Sequence, residues 1–286
     1  MKNTLVIIAA AALAGCATTK EPAYDTLIAH RGESVDAPEN TLPAFKTAVE
    51  RGFGFECDVY MSRDGKLFTF HDNNLKRTTG GACTERCTEA SWAETVSKVN
   101  VAGWGKWKGS KFDPTMPALL EDVLALARPG RKIYVEVKGD DDAVGWIPTI
   151  KSVFDKEPRA TPDTVVLISF SVKTCAEIKR LMPEYKVYLL TNCRRGWEPG
   201  AAPVPLAETL ENLKNSKADG LDMRFDPELH DQAYVDAVNA AGFEFHVATV
   251  DDLPTAKLAF KLGSQTLTTN CAKKLLEEYE KEKKND

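Results

Sequence analysis

Three short blocks of this 286-residue chain place ionisable side chains where chemistry can be done. The first runs Ile28-Ala29-His30-Arg31-Gly32 and continues to Ala37-Pro38-Glu39-Asn40-Thr41. The second is Phe55-Glu56-Cys57-Asp58-Val59, followed by Asp64-Gly65 and Phe70-His71-Asp72. The third is Tyr134-Val135-Glu136-Val137-Lys138. Side chains at i and i+2 of a strand share a face, so Glu56 and Asp58 project together while Cys57 points away. Glu136 and Lys138 share a face in the same way. Carboxylates inside a fold are costly unless paired or bound to metal. Three converging carboxylates without a thiolate describe a site for a hard divalent cation, Ca²⁺ or Mg²⁺ rather than Zn²⁺. His30 and His71 end strands beside that site, and two histidines can serve as acid and base in one cycle. Arg31 and Lys138 add fixed positive charge for an anion, Arg being able to grip phosphate oxygens with two donors. This set suits phosphodiester cleavage.

Positioning these residues requires strands that end at one place. β-rich runs occur at Thr26–His30, Phe53–Tyr60, Leu67–His71, Ile133–Val137, Val165–Phe170, Val187–Thr191, Gly220–Met223, Glu244–Thr249 and Thr266–Thr269. Stretches with apolar residues at helical spacing lie between most of them: Leu42–Arg51, Leu119–Ala127, Thr174–Met182, Ala207–Lys217, Ala233–Ala241 and Thr255–Leu262. Asn40 and the Asp251-Asp252 pair stand where helix caps are expected. Strands alternating with helices pair in parallel. With the second and third runs counted as one interrupted unit there are eight repeats, the number in a TIM (β/α)₈ barrel, whose sites lie at the carboxyl ends of the strands. A doubly wound open sheet usually carries G-x-G-x-x-G after its first strand, and none is present. Residues 73–117 break the rhythm with Gly80-Gly81, Trp92, Trp104, Trp107, Pro114 and Pro117. They are too long for an ordinary loop and read as a small cap inserted after the second strand. The charged tail from Lys273 reads as a last helix.

Composition is that of a folded soluble protein, 43% hydrophobic and 28% charged. A net charge of −5 argues against a nucleic-acid partner, which needs a basic face. The amino terminus, MKNTLVIIAAAALAGC, has one Lys, an apolar run too short to span a bilayer, and small residues. That is the pattern of an export signal. Leu13-Ala14-Gly15-Cys16 resembles a bacterial lipobox, which implies cleavage before Cys16 and its acylation. The expected organisation is then residues 1–15 as signal, 16–25 as lipidated Cys and tether, and 26–286 as the barrel, exported and lipid-anchored to the bacterial cell envelope on its periplasmic or cell-surface face. An ordinary signal with a free Cys16 is the other reading. In an exported protein the remaining cysteines can pair. Cys83 and Cys87 are expected to form a local disulfide, a metal clip being the alternative; Cys57, Cys175, Cys193 and Cys271 cannot be paired from the sequence.

In order and spacing, H-R-G, P-E-N-T, E-x-D, D-G-x-x-x-x-x-H-D and E-x-K resemble the glycerophosphodiester phosphodiesterase family over nearly the whole chain from Leu27. The resemblance implies a TIM barrel with an insertion after the second strand. It makes His30 and His71 the acid/base pair, Glu56, Asp58 and Glu136 the metal ligands, and Arg31 and Lys138 the phosphate-binding residues, with Glu39 and Asn40 supporting the loop. The implied reaction is hydrolysis of substrates such as glycerophosphocholine or glycerophosphoethanolamine to glycerol 3-phosphate and an alcohol. A lysophospholipase D acting on one-chain lipids and a silent barrel used as a binding protein are the alternatives. Phe170 and Phe225 are candidates to line the glycerol side, whereas His230 and His246 match no block and read as structural. Two late blocks depart from the family: His246-Val247-Ala248-Thr249-Val250 lacks a Trp often found there, and Thr269-Asn270 replaces Thr-Asp.

Overall fold

A computed structural model of the chain describes residues 20–196, 198 and 200–285. The expected signal, Cys16 and the first residues of the tether lie outside them. Nine strands form one sheet: β1 (Leu27–Ala29), β2 (Gly54–Met61), β3 (Leu67–Thr69), β4 (Ile133–Val137), β5 (Val165–Ser169), β6 (Lys186–Thr191), β7 (Gly220–Arg224), β8 (Glu244–Ala248) and β9 (Leu267–Thr269). Eight of them pair in parallel, and pairing of β1 with both β2 and β9 closes the barrel. The ninth, β3, folds back antiparallel on β2, placing Thr69 opposite Val59. This is the interrupted second unit expected from the sequence.

Helices α1 (Leu42–Glu50), α2 (Leu120–Leu124), α3 (Ile147–Phe154), α4 (Val172–Leu181), α5 (Leu206–Ser216), α6 (Gln232–Ala240), α7 (Leu253–Leu262) and α8 (Ala272–Lys283) surround the sheet. The sequence pattern missed α3, which follows a 3₁₀ segment, Asp140–Trp146, opened by three acidic residues that mask its periodicity. α2 is shorter than its apolar spacing suggested, because the chain turns at Ala125–Ala127 before Pro129. Thr41, not Asn40, caps α1; Asp252 caps α7 as expected.

Residues 73–117 hold two short 3₁₀ turns and no α-helix. They return to β3 where the Thr69 amide donates to Ala118 O. The disulfide expected between Cys83 and Cys87 is not formed: both thiols are free. Cys87 is buried with its Sγ directed at Asp72 O (3.2 Å), while Cys83 is only half-buried, so the two side chains serve different environments. Cys57, Cys175, Cys193 and Cys271 are free as well.

Two apolar layers stabilise the barrel. The larger lies between strands and helices, and includes Phe45, Phe55, Leu120, Ile147 and Phe260. The smaller fills the lumen with Ile28, Tyr134, Val166, Ile168, Tyr188 and Leu190. Below it, at the amino-terminal ends of the strands, is a polar floor. His246 stacks on Tyr188 at 4.1 Å and its Nδ1 lies 2.7 Å from Thr266 Oγ1. Glu244 accepts from Tyr188 Oη (2.8 Å) and Lys186 Nζ (2.9 Å). Hydrogen bonding to His246, then to Lys186 and Tyr188, holds Glu244 down at about 2 against the cost of burial.

A carboxylate lowered on folding contributes stability above its unfolded value of about 4.3, and loses that contribution as pH falls through the folded value. Glu244→Gln is therefore expected to lower Tm by about 1–3 °C at pH 7, the scale of a partly exposed ion-pair network. The gap should close between about pH 4 and pH 2. Thermal melts across that range check it, and a gap that persists unchanged at pH 2 removes the assignment.

Candidate active site

The site is assembled at the carboxyl ends of β1, β2, β4 and β9. β1 ends with the His30 amide donating to Thr269 O (2.8 Å). The chain then reverses through left-handed backbone at Arg31 (φ 55°) and Gly32 (φ 77°). A Cβ on Gly32 would lie 2.6 Å from the backbone of Ala44 in α1, so only glycine permits this approach. The turn aims the Arg31 amide at Glu56 Oε2 (2.8 Å). Asn40, also left-handed (φ 55°), donates through Nδ2 to Asp58 Oδ2 (2.7 Å) and accepts from the Asp58 amide (3.0 Å). Its own carbonyl accepts from Thr69 Oγ1 (2.8 Å), which ties β3 to the same loop. The residue expected as a helix cap is instead a clamp on a carboxylate.

Parallel register places Asp58 directly beside Glu136 on β4, with Glu56 one pleat below on the same inward face. Ligand atoms of Glu56, Asp58 and Glu136 lie within 4.8 Å of one another, and all three residues are buried. Burial, then repulsion from Asp58 and Glu136, pushes Glu56 well above the usual carboxylate range. Burial likewise raises Glu136 to about 7, despite Lys138 Nζ at 2.7 Å. Against the same cost of burial, Lys138 and Arg31 hold Asp58 well below its ordinary value; Lys138 Nζ lies 3.3 Å and Arg31 Nε 3.5 Å from it. Arg31 is shared with Glu39 (2.9 Å), so the two cations do not neutralise the cluster. Glu56 Oε1 is buried with no hydrogen-bond donor among the described residues, and Asp58 Oδ1, equally buried, meets only the Lys138 ammonium at 3.3 Å. Hard oxygens so sparsely partnered and aimed at one point fit a divalent cation of the Ca²⁺ or Mg²⁺ kind.

The two histidines face this cluster with different supports. His30 Nδ1 lies 2.8 Å from Asn270 Oδ1. Asn270 is fixed by Asp251, which accepts from both its amide (2.8 Å) and its Nδ2 (2.7 Å). That leaves Oδ1 as the atom facing the ring, so Nδ1 carries the hydrogen and Nε2 is a free acceptor, 3.9 Å from Glu56 Oε2. Burial, with the Arg31 charge beside it, pulls His30 down to about 4. His71 Nδ1 instead meets the Asp72 carboxylate at 2.8 Å. Despite some burial, hydrogen bonds from His71 and Arg77 hold Asp72 well below its usual range. Arg77 reaches from the insertion to grip Asp72 (2.7 and 3.0 Å) and Glu39 (2.7 and 2.8 Å), and its guanidinium lies 5.0 Å from the Trp104 ring.

Phe170, 44% exposed, stands at the lip of a 230 Å³ cavity that Glu136 and Lys138 also line, together with Tyr60, Asp140, Asp142 and Trp146. Phe225 is not brought to this cavity; it lines another with Arg194 and Asp226. His230 Nδ1 accepts from the Asp226 amide (3.0 Å), and His246 belongs to the floor. Sequence reasoning missed Asp251, Arg77 and the support role of Asn270. Asp222 was missed too: it is buried in the lumen with Oδ1 unpartnered among the described residues, and burial raises it to about 7.

A closed eight-stranded parallel barrel with acidic residues at its carboxyl end defines an α/β-barrel enzyme site. Residues 30–274 match the model of the glycerophosphoryl diester phosphodiesterase family, and the chain belongs to that family of phosphoric diester hydrolases. It is 31% identical over 171 residues to a glycerophosphodiester phosphodiesterase of Caldanaerobacter subterraneus, covering 58% of this chain and 67% of that protein. It is 38% identical over 140 residues to human glycerophosphodiester phosphodiesterase 1, a stretch that spans 49% of this chain and 41% of the human protein. The fold is shared with a phosphodiesterase of Oleispira antarctica solved with its product sn-glycerol-3-phosphate. The TM-score is 0.75 at 24% identity, over 89% of this chain and 96% of that one.

Asn270→Ala frees the His30 ring and removes one donor to Asp251 without touching Glu56, Asp58 or Glu136. It is expected to reduce kcat roughly tenfold to hundredfold, the cost of misplacing a reacting group by about 1 Å, with KM nearly unchanged. Steady-state kinetics on a glycerophosphodiester decide it; unaltered kcat removes Asn270 from the machinery.

Proposed function

We propose that the protein hydrolyses glycerophosphodiesters such as glycerophosphocholine or glycerophosphoethanolamine to glycerol 3-phosphate and the free alcohol, using Ca²⁺ or Mg²⁺. The observation that carries this reading is the cluster of three buried carboxylates whose charge Lys138 and Arg31 only partly offset, flanked by two separately supported histidines. Glu56, Asp58 and Glu136 would hold the cation, which when bound supplies Lewis acidity and charge neutralisation to the phosphoryl oxygens. Arg31 and Lys138 orient the phosphodiester. His30, neutral with Nε2 free, takes the proton from the glycerol hydroxyl next to the diester. That oxygen bonds to phosphorus as the bond to the alcohol breaks. His71, whose imidazolium has Asp72 as counter-charge, gives the departing oxygen its proton. In the second half, water loses a proton to His71 and attacks the cyclic phosphate, while His30 returns its proton to the glycerol oxygen. Phe170, expected on the glycerol side, is read here on the alcohol side instead. Its exposed ring stands with Asp140 and Asp142, beside Arg86, at the lip of the cavity, where it can meet a cationic alcohol such as choline or ethanolamine. The product named for the Oleispira phosphodiesterase agrees with the glycerol 3-phosphate expected here. Export and acylation at Cys16 complete the reading, on the pattern Leu13-Ala14-Gly15-Cys16.

EDTA should abolish glycerophosphocholine hydrolysis and Ca²⁺ or Mg²⁺ restore it. His30→Ala or His71→Ala should each lower kcat by at least ~10²-fold, the usual scale of general acid–base catalysis; full activity in either variant refutes the pair. Independently of turnover, cation at about 100 times its Kd should stabilise the fold by ~2.7 kcal/mol, raising Tm by about 5–8 °C. A Tm indifferent to cation would remove the metal from the carboxylate cluster.

A further inference from the structure

We propose that the floor of the barrel is its membrane-facing surface, and that the active-site mouth opens away from the bilayer towards water-soluble substrates. The inference rests on the reading of Cys16 as the lipidated residue.

The chain joins the barrel at its floor. Lys20, Asp25 and Thr26 line a cavity of about 680 Å³ there, with His246 and Thr266. From Glu21 onward the segment is clamped in place. Thr26 Oγ1 donates to Glu21 O (2.6 Å) and accepts from the Ala23 amide (2.8 Å). Lys283 Nζ pairs with Glu21 Oε2 (3.0 Å), and the Tyr24 ring lies 5.2 Å from Phe53 at the foot of β2. Only four Cα steps separate Cys16 from Lys20, a reach of at most ~15 Å. The eight residues of β2 run ~26 Å from floor to mouth, or ~21 Å along the axis at the usual barrel tilt. The tether is shorter than the barrel is tall, so the mouth cannot swing down to the surface that holds the lipid.

Charge is distributed in the same sense. Arg128-Pro129-Gly130-Arg131-Lys132 forms a basic turn between α2 and β4, and Gly130 and Lys132 line the floor cavity. Arg128 and Arg131 enter no ion pair among the described residues, and Arg131 donates to the carbonyls of Gly52 and Gly130. In the floor cavity Asp25, Asp163 and Glu244 are matched by Lys20, Lys132 and Lys186, with Glu244 paired to Lys186, so Arg128 and Arg131 set the sign at its edge. The mouth carries mixed charge: Asp140 and Asp142 line its cavity with Arg86 and Lys138, and Asp251 and Asp252 follow β8. An anionic headgroup layer attracts the basic turn at the floor, although the whole chain is net negative. A one-chain lipid lodged in that layer is then at the wrong end of the barrel. A deacylated glycerophosphodiester diffusing in water is at the right one.

The test uses the full-length acylated protein on vesicles of phosphatidylethanolamine and phosphatidylglycerol that carry a headgroup quencher. With Cys83 and Cys271 replaced by Ser, a fluorophore is attached at the floor through Pro129→Cys, or at the mouth through Val35→Cys. Lys156→Cys serves as a second floor position should the first not fold. Quenching at the floor and none at the mouth is expected; equal quenching, or more at the mouth, overturns the orientation. In the same vesicles the anchored protein is expected to release choline from dissolved glycerophosphocholine, and at least ~10-fold less from a one-chain lipid embedded beside it, because a linker too short to span leaves an effective concentration near zero. Comparable rates on both overturn the proposal. Failure on glycerophosphocholine with floor-only quenching counts against the enzymatic reading alone and leaves the orientation standing. A wild-type chain that stays in solution like Cys16→Ser removes the anchor, and the orientation with it.

Discussion

Repulsion among three carboxylates inside a barrel is the constraint around which the upper half of this molecule is built. Glu56, Asp58 and Glu136 are brought together by strand register, an arrangement the backbone ladder imposes whatever the side chains prefer. Placing such groups out of water is expensive, and the surrounding residues are those that reduce the cost. Asn40 and the Arg31 amide supply hydrogen bonds, while Lys138 and Arg31 supply charge. The remaining deficit is visible in Glu56 and Glu136, both raised, and in Glu56 Oε1, a buried oxygen that no donor among the described residues reaches. A fold selected for stability alone would have continued the apolar layer of Ile28, Ile168 and Leu190 upward. Acids placed there instead indicate a cationic ligand.

The same economy explains why the loops bend as they do. Left-handed backbone at Arg31 and Asn40 is disfavoured for side-chain-bearing residues, yet both positions adopt it. In each case the bend converts a loop residue into a partner of a carboxylate. The insertion is drawn into the network through Arg77, which joins Asp72 to Glu39 across two loops. The support of His71 therefore depends on the segment that departs furthest from the barrel repeat.

How much of this was legible in the sequence depended on range. Residues two apart on one strand could be placed on one face without any tertiary knowledge, so Glu56 with Asp58, and Glu136 with Lys138, were readable, as was the strand–helix alternation that gives the barrel. Asn40 looked like a cap because S/T/D/N before an apolar run usually is one; its bond to Asp58, 18 residues away, has no local signature. Asp251 is joined to Asn270 only because β8 and β9 are neighbours. α3 was hidden by the run Asp140-Asp141-Asp142, which reads as a solvated loop. Cys83 and Cys87 suggested a disulfide by spacing, but spacing does not reveal that one thiol faces the Asp72 carbonyl.

Asn270 shows what a departure from a family pattern can mean physically. A carboxylate at that position would give the His30 imidazolium a counter-charge, as Asp72 does for His71. The amide offers the same acceptor geometry without the charge, and Asp251 spends its own charge fixing the amide's orientation. The two rings are thus supported by similar distances but unlike electrostatics: 2.8 Å to a neutral oxygen for His30, 2.8 Å to a carboxylate for His71. Symmetric histidines would leave the direction of proton transfer to the substrate. Under the mechanism proposed above, unlike partners bias it, His30 beginning as the acceptor and His71 as the donor.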